Sequence, residues 1–165
     1  MKTVLVLGTG MVAGPAITYL LALPEIQVRV ASLDYERAQA LIGGHPRGAA
    51  QRLDVEDPVA LHDAIAAPEV GLVISLLPYI YHAQVAAVCV AHGKHLVTTS
   101  YVSPEMRALD RAAREAGVTL LNEIGADPGM DHMSAMRVIH EVQEAGGEIT
   151  RFRSWCGGLP APEAN

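Results

Sequence analysis

Lysine is almost missing from this chain. Lys2 and Lys94 are its only two, in 165 residues. Lys2 precedes the first apolar run and Lys94 sits in the turn "AHGKH", which argues against Schiff-base chemistry or a lysine general base from this stretch. Cysteine is equally scarce: Cys89 and Cys156 stand far apart and suggest no disulfide framework. The net charge is −6, so the basic face that non-specific nucleic-acid binding needs is not expected. No apolar run reaches membrane-spanning length without Gly, Pro or a charge, and a strand begins by about residue 3. The expectation is a cytoplasmic protein with neither nucleic acid nor membrane as partner.

What is present is apolar and regular. Half of the residues are hydrophobic and 18% are charged, enough for one domain with a real core. Short apolar runs alternate with longer amphipathic segments. Strands are expected at about 3–7, 27–31, 50–54, 70–75, 95–98 and 118–121. Helices are expected between them at about 11–22, 35–43, 57–66, 79–92, 104–116 and 129–145. Strands apolar nearly throughout belong to a parallel sheet covered on both faces. The fold class is therefore α/β, a doubly wound, Rossmann-like sheet. Residues 1–150 would be its dinucleotide-binding domain. From about 148 to 156 one more strand is expected, and 151–165 carry its end and a Gly/Pro-rich exit, which reads either as the start of a link to a second domain of a longer protein or as a short frayed tail.

The first strand ends on glycines, in "VLVLGTGMVAGPAITYLL". Gly8 allows a tight turn, and Gly10 lets a diphosphate lie against the main chain. The start of the next helix then faces the anion. Ala13 fills the third small position of the pattern, although glycine-rich turns also occur at ordinary strand–helix junctions. After the second strand comes "VASLDYER". Ser32 could donate to a 2′-phosphate, Asp34 would repel one or simply cap a helix, and Arg37 lies one turn further on. NAD and NADP both stay open as cofactor. Asp54 either contacts adenine or caps the helix that begins at Asp57-Pro58. Ser75, Leu76 and Leu77 end the fourth strand, where they would wall the ribose on the nicotinamide side.

Thr98, Thr99, Ser100 and Tyr101 come at the end of the fifth strand, in place either for nicotinamide and substrate or as turn hydroxyls. "NEIGADPGMDHM" gathers Glu123, Asp127, Asp131 and His132 within ten residues, a loop suited to acid–base work, unless Asp127 or Asp131 simply caps the long helix that follows. Its spacing supports no metal site, so no metal is expected. Cys156 is either a proton donor or a small buried residue, and Cys89 is a core residue. His82 stands near the cofactor crevice without a role that the sequence can fix.

Taken together, "VLGTGMVAGP", "VISLLPYIYHAQVA", "HLVTTSYVSPEM", "NEIGADPGMDH" and "SWCGGLPAPE" resemble the saccharopine dehydrogenase family, in its glutamate-forming branch. The resemblance implies an NAD(P)-linked oxidoreductase acting on a CH–NH bond: the imine of aminoadipate semialdehyde and glutamate is reduced to saccharopine, or the reverse. It implies an amino-acid substrate and a homodimer in the longer protein. By motif, Gly8, Gly10, Met11 and Val12 would hold the diphosphate, Asp54 and Val55 the adenine side, and Leu76 and Leu77 the nicotinamide half. Ser100, Tyr101, Asp127 and Cys156 match positions that touch substrate or move protons. One departure stands out: NADP-using members carry an arginine where Leu33 stands here, which implies either a shift of preference toward NAD or a relative with the same frame that uses a different amine substrate and cofactor. The other readings are a dinucleotide-binding module without catalysis and a related reductase of another amino-acid or polyamine substrate.

Overall fold

The computed structural model describes residues 2–155 and 157. Its strands are β1 (Lys2–Leu7), β2 (Ile26–Ser32), β3 (Gly48–Arg52), β4 (Val70–Ser75), β5 (His95–Thr98) and β6 (Leu120–Leu121). The helices are α1 (Ala13–Ala22), α2 (Tyr35–Ile42), α3 (Pro58–Ala66), α4 (His82–Ala91), α5 (Pro104–Ala108), α6 (Asp110–Glu115) and α7 (Met130–Glu144). All strand pairs are parallel, in the order β3-β2-β1-β4-β5-β6.

β1 explains the two-layer build. Its side chains alternate, so Val4 and Val6 pack with Val28, Val30, Ile17, Leu21 and Ile42 under α1 and α2. Leu5 and Leu7 pack on the other face with Val73, Leu61, Ile65, Val85 and Leu96 under α3 and α4. Each such side chain stabilises the fold by roughly 1.5–3 kcal/mol relative to exposure. Cys89 belongs to the second layer, and burial pushes its thiol up to about 12, leaving it a hydrophobe without nucleophilic character. Lys94 is nearly buried. Its ammonium donates to the carbonyls of Ala67 (3.0 Å) and Val70 (2.7 Å), a structural use that closes the α3–β4 turn.

Three expectations need correction. β3 begins at Gly48, two residues earlier than its apolar pattern suggests, because the β2 ladder starts at Val28↔Gly48. A Cβ at Gly48 would lie 2.2 Å from the Cγ2 of Ile42, so glycine lets the strand start beneath α2. The helix expected over 104–116 is two helices, α5 and α6, meeting at Leu109.

The strand expected over 148–156 is not formed by the described residues there. α7 has no buried residue, so it does not lie on the sheet. The segment after Gly146 and Gly147 is therefore not delivered to the edge of β6, and Trp155 is 87% exposed. A strand with no ladder partner has nothing to satisfy its backbone groups. Among the described residues no helix is long and apolar enough to cross a membrane.

Candidate dinucleotide and substrate site

The strand order reverses between β1, which runs outward to β2 and β3, and β4, which runs outward to β5 and β6. Such a switch point opens a crevice at the carboxyl ends of the two central strands. Leu7 pairs with Ser75 there, and the chains then part. Gly8 turns with φ +99°, donating to the Ala31 carbonyl at 2.9 Å. A Cβ on it would lie 3.2 Å from the Leu76 carbonyl oxygen, so the corner is closed to any side chain. Gly10 differs: nothing lies within 4 Å of where its Cβ would be. Met11, 93% exposed, and the exposed Val12 leave this mouth open.

The helix that starts here brings no cap. Asp34, Asp57 and Ser103 accept amide hydrogens at the starts of α2, α3 and α5. α1 has Val12 in that place, with no capping hydrogen bond and no acidic residue in its first turn. The Ala13 amide donates to the Gly10 carbonyl at 3.1 Å and Pro15 has no N–H, so the Met11, Val12 and Gly14 amides, with the positive end of the dipole, are what an anion could use.

On the β2 side a small network fixes the loop. Thr9 Oγ1 and Ser32 Oγ are 2.9 Å apart, and Ser32 Oγ also accepts from the Asp34 amide at 3.2 Å. Asp34 Oδ1 accepts from the Arg37 amide at 2.9 Å and so caps α2, while Arg37 Nε donates back to the Thr9 carbonyl at 2.5 Å. Next to it lies a cavity of about 310 Å³ lined by Ser32, Leu33, Asp54, Val55, Glu56 and Leu77, among others. Asp54 Oδ1 accepts from the Glu56 amide at 2.9 Å, and Tyr81 donates to Glu56 Oε1 at 2.7 Å. That bond to Glu56 pushes the Tyr81 phenol up. Most of the cavity's lining surface is apolar, and Leu33 is exposed at its lip.

On the β5 side a second cavity, about 330 Å³, is walled by Tyr79, Ser100, Tyr101, Ser103, Asp127 and Pro128, among others. Tyr101 donates to Asp127 Oδ1 at 2.8 Å, and this bond, more than burial, pushes its phenol up. The loop that carries Asp127 is tightly built. The amides of Glu123 and Ile124 donate to the carbonyls of Ser100 and Thr98 at 3.1 Å. Gly129, at φ +142°, has no room for a Cβ, which would lie 2.3 Å from the Gly125 oxygen. Asp131 accepts from the Gly129 amide (2.9 Å) and from His132 (2.7 Å). Burial would raise its carboxyl, but His132 and the backbone amides hold it below the usual range. Among the described residues no group of three or more His, Cys, Asp or Glu is placed to hold a metal ion.

The positions singled out by sequence thus fall in three places along the carboxyl edge of one sheet. Gly8, Gly10, Met11 and Val12 form the central corner. Ser32, Asp34, Asp54 and Val55 lie toward β3, and Ser100, Tyr101 and Asp127 toward β6. Leu77 lines the β3-side cavity, and the Leu76 carbonyl abuts Gly8. Ser75 is wholly buried, with its hydroxyl turned to His82 and away from the crevice. Cys156 lies outside the described residues. Glu56 and Tyr81 join the site only in three dimensions, and Arg37 and His82, placed near it by sequence, find their bonding partners only there. Their partners stand 7 to 28 residues away in sequence, so no linear motif announces them. A larger hollow, about 750 Å³, flanks the free edge of β6. Its Arg114 and Asp110 already pair with each other at 3.0 Å, and its lining meets that of the β5-side cavity only at Val102.

Fold and corner together define a Rossmann-like domain of the dinucleotide-binding class. The chain belongs to the saccharopine dehydrogenase family: residues 4–121 match the saccharopine dehydrogenase NADP binding domain and residues 125–165 the saccharopine dehydrogenase C-terminal domain. It is 49% identical over 163 residues to the saccharopine dehydrogenase [NADP(+), L-glutamate-forming] of Schizosaccharomyces pombe, covering 99% of this chain and 36% of that protein. It is 38% identical over 172 residues to the mitochondrial alpha-aminoadipic semialdehyde synthase of Bos taurus, covering 99% of this chain and 18% of that one. The apo structure of the L-Glu-forming saccharopine dehydrogenase of Saccharomyces cerevisiae superposes with a TM-score of 0.81 at 45% identity, over 99% of this chain and 36% of that chain. The chain therefore spans about a third of the length of its fungal relatives.

Proposed function

We propose that this chain holds NAD or NADP along the carboxyl edge of its sheet, as the dinucleotide-binding part of an oxidoreductase acting on a CH–NH bond. The reaction is of the saccharopine type: the imine of aminoadipate semialdehyde and glutamate is reduced to saccharopine, or saccharopine is oxidised back. The carrying observation is the corner at the switch point. There a glycine that excludes any side chain, a glycine open to solvent and an uncapped helix start coincide, as a diphosphate requires. The two cavities on either side supply room for the adenosine and the nicotinamide ends.

When bound, the dinucleotide supplies or accepts the hydride at carbon. The chain's own residues handle position and protons. The Gly10–Ala13 main chain would orient the diphosphate, and Leu33, Val55 and Leu77 would bury the adenine. Reducing C=N to CH–NH also needs one proton at nitrogen, and Tyr101 Oη with Asp127 Oδ1 forms a pair that can hold and pass it. Cys156 is proposed as a further proton-handling group. The longer protein is proposed to act as a cytoplasmic homodimer on an amino-acid substrate, with residues 1–150 as its dinucleotide-binding domain. The exposed apolar residues of α7, among them Met133, Met136 and Val138, support a further packing partner. Titrating the chain with NADH and with NADPH while following nicotinamide fluorescence tests the proposal. Saturable binding is expected, and no binding of either would refute it.

A further inference from the structure

His82 opens α4 and is 4% exposed. Its ring bridges two strand ends. Nδ1 lies 3.0 Å from Oγ of Ser75, the last residue of β4, and Nε2 lies 3.0 Å from Oγ of Ser100, just past β5. Ser75 is wholly buried, whereas Ser100 lines the cavity that holds Tyr101 and Asp127. Burial pushes the imidazole below its ordinary value of 6.5, so the ring is neutral at pH 7. A neutral ring carries one N–H and one lone pair, and its two tautomers run this row of hydrogen bonds in opposite directions.

Ser75 decides between them. His82 is the one hydrogen-bond partner of its hydroxyl among the described residues. With the proton on Nδ1, Ser75 would accept and its own O–H would be stranded in a dry interior, an expensive unmade bond. With the proton on Nε2, Ser75 donates to Nδ1 and His82 donates to Ser100, and every buried group is satisfied. The Ser100 hydrogen is then not needed by the protein and points its donor capacity into the cavity.

We propose that His82 is a positioning residue that, locked by Ser75 as the Nε2–H tautomer, holds the Ser100 hydroxyl as a hydrogen-bond donor to the carboxamide oxygen of the nicotinamide ring. This rests on the cavity being the nicotinamide end of the dinucleotide site. The placement follows from the sheet: the cavity assigned to adenine lies on the β3 side of the glycine corner, so the second ring of a dinucleotide falls on the β5 side. A histidine that merely filled the core would be locked by Ser75 in the same tautomer, so it is the dinucleotide affinity of the serine variants, read beside the tautomer, that separates the two roles.

Long-range proton–nitrogen NMR of the ligand-free chain reads the tautomer directly. The expected spectrum has a protonated, pyrrole-type Nε2 and a pyridine-type Nδ1 for His82. A protonated Nδ1 overturns the proposal, and that result stands whether or not any variant folds. Ser75→Ala removes the lock without entering the cavity, and it should let the other tautomer appear. Ser75→Ala and Ser100→Ala should each weaken NADH and NADPH binding by about 3- to 10-fold, the double variant no more than Ser100→Ala alone. ADP-ribose, which lacks the nicotinamide, should bind all of them as it binds the unaltered chain. Unchanged dinucleotide affinity in Ser100→Ala, or equal weakening of ADP-ribose, overturns the proposal. Failure of the unaltered chain to bind any dinucleotide overturns the cavity's assignment itself, a result separable from a wrong tautomer.

Discussion

The Tyr101 hydroxyl donates to Asp127 Oδ1 at 2.8 Å, joining the loops that follow β5 and β6. Twenty-six residues separate them in the chain, and the two meet because the 122–129 loop is pinned to the backbone of Thr98 and Ser100. In the full-length protein, Tyr101→Phe should lower kcat/KM by roughly 10²- to 10⁴-fold, the usual range for a proton-transfer group. Dinucleotide affinity should stay within about twofold, since the phenol is not among the groups assigned to the diphosphate or adenine. Steady-state kinetics combined with equilibrium titration separates the two effects.

Gly8 and Gly10 make opposite predictions. Gly8 sits at φ +99° with a carbonyl 3.2 Å from a would-be Cβ, so Gly8→Ala should destabilise the fold by about 1–3 kcal/mol. Gly10 has open space and no positive φ. Gly10→Ala should leave the denaturation midpoint nearly unchanged and weaken dinucleotide binding on the order of 10-fold or more, because its methyl enters the diphosphate's place. Chemical denaturation and fluorescence titration of both variants check the contrast.

Leu33 stands at the lip of the cavity assigned to adenine, with the Asp34 carboxylate committed to capping α2 and Arg37 reaching back to Thr9. Leu33→Arg adds a cation where a 2′-phosphate would lie. It should raise the affinity for NADPH relative to NADH by about 10-fold, the worth of a charge-assisted hydrogen bond of 1–3 kcal/mol. An unchanged ratio would place the ribose elsewhere.

His82 also leaves a mark on stability. Burial sets its folded-state pKa below the ordinary 6.5, so the unfolded chain takes up a proton more readily than the folded one. Its contribution is present above about pH 6.5 and is lost as the pH falls toward the lowered folded value. Denaturation midpoints measured from pH 7.5 down to 5 should therefore decline, and the decline should be shallower in His82→Gln.

Much of the fold was legible because parallel strands covered on both faces read as continuous apolar runs. Val4–Leu7 and Val70–Ser75 are recognisable for that reason, and the Gly8–Gly10 turn by its place after the first of them. The ends were harder. The start of β3 is set by Ile42 above Gly48, a contact between different elements that no local pattern carries. Residues 148–155 have a strand's composition yet form none, because pairing requires an edge that α7 does not bring them to. Within the site, Asp34 and Asp54 were ambiguous between ligand and cap, and their bonds to the Arg37 and Glu56 amides are those of local turns. The His82 bridge was hidden altogether, since it needs β4, β5 and α4 assembled before Ser75 and Ser100 come within reach.

The central claim is that the uncapped start of α1 receives the diphosphate. Amide proton–nitrogen spectra recorded during titration with NADPH test it most directly. The largest shifts are expected at Gly10, Met11, Val12 and Ala13, saturating together with shifts at Leu33 and Ser100. Shifts confined to other faces, such as the hollow beside β6, with the Gly10–Ala13 amides unmoved, would contradict it.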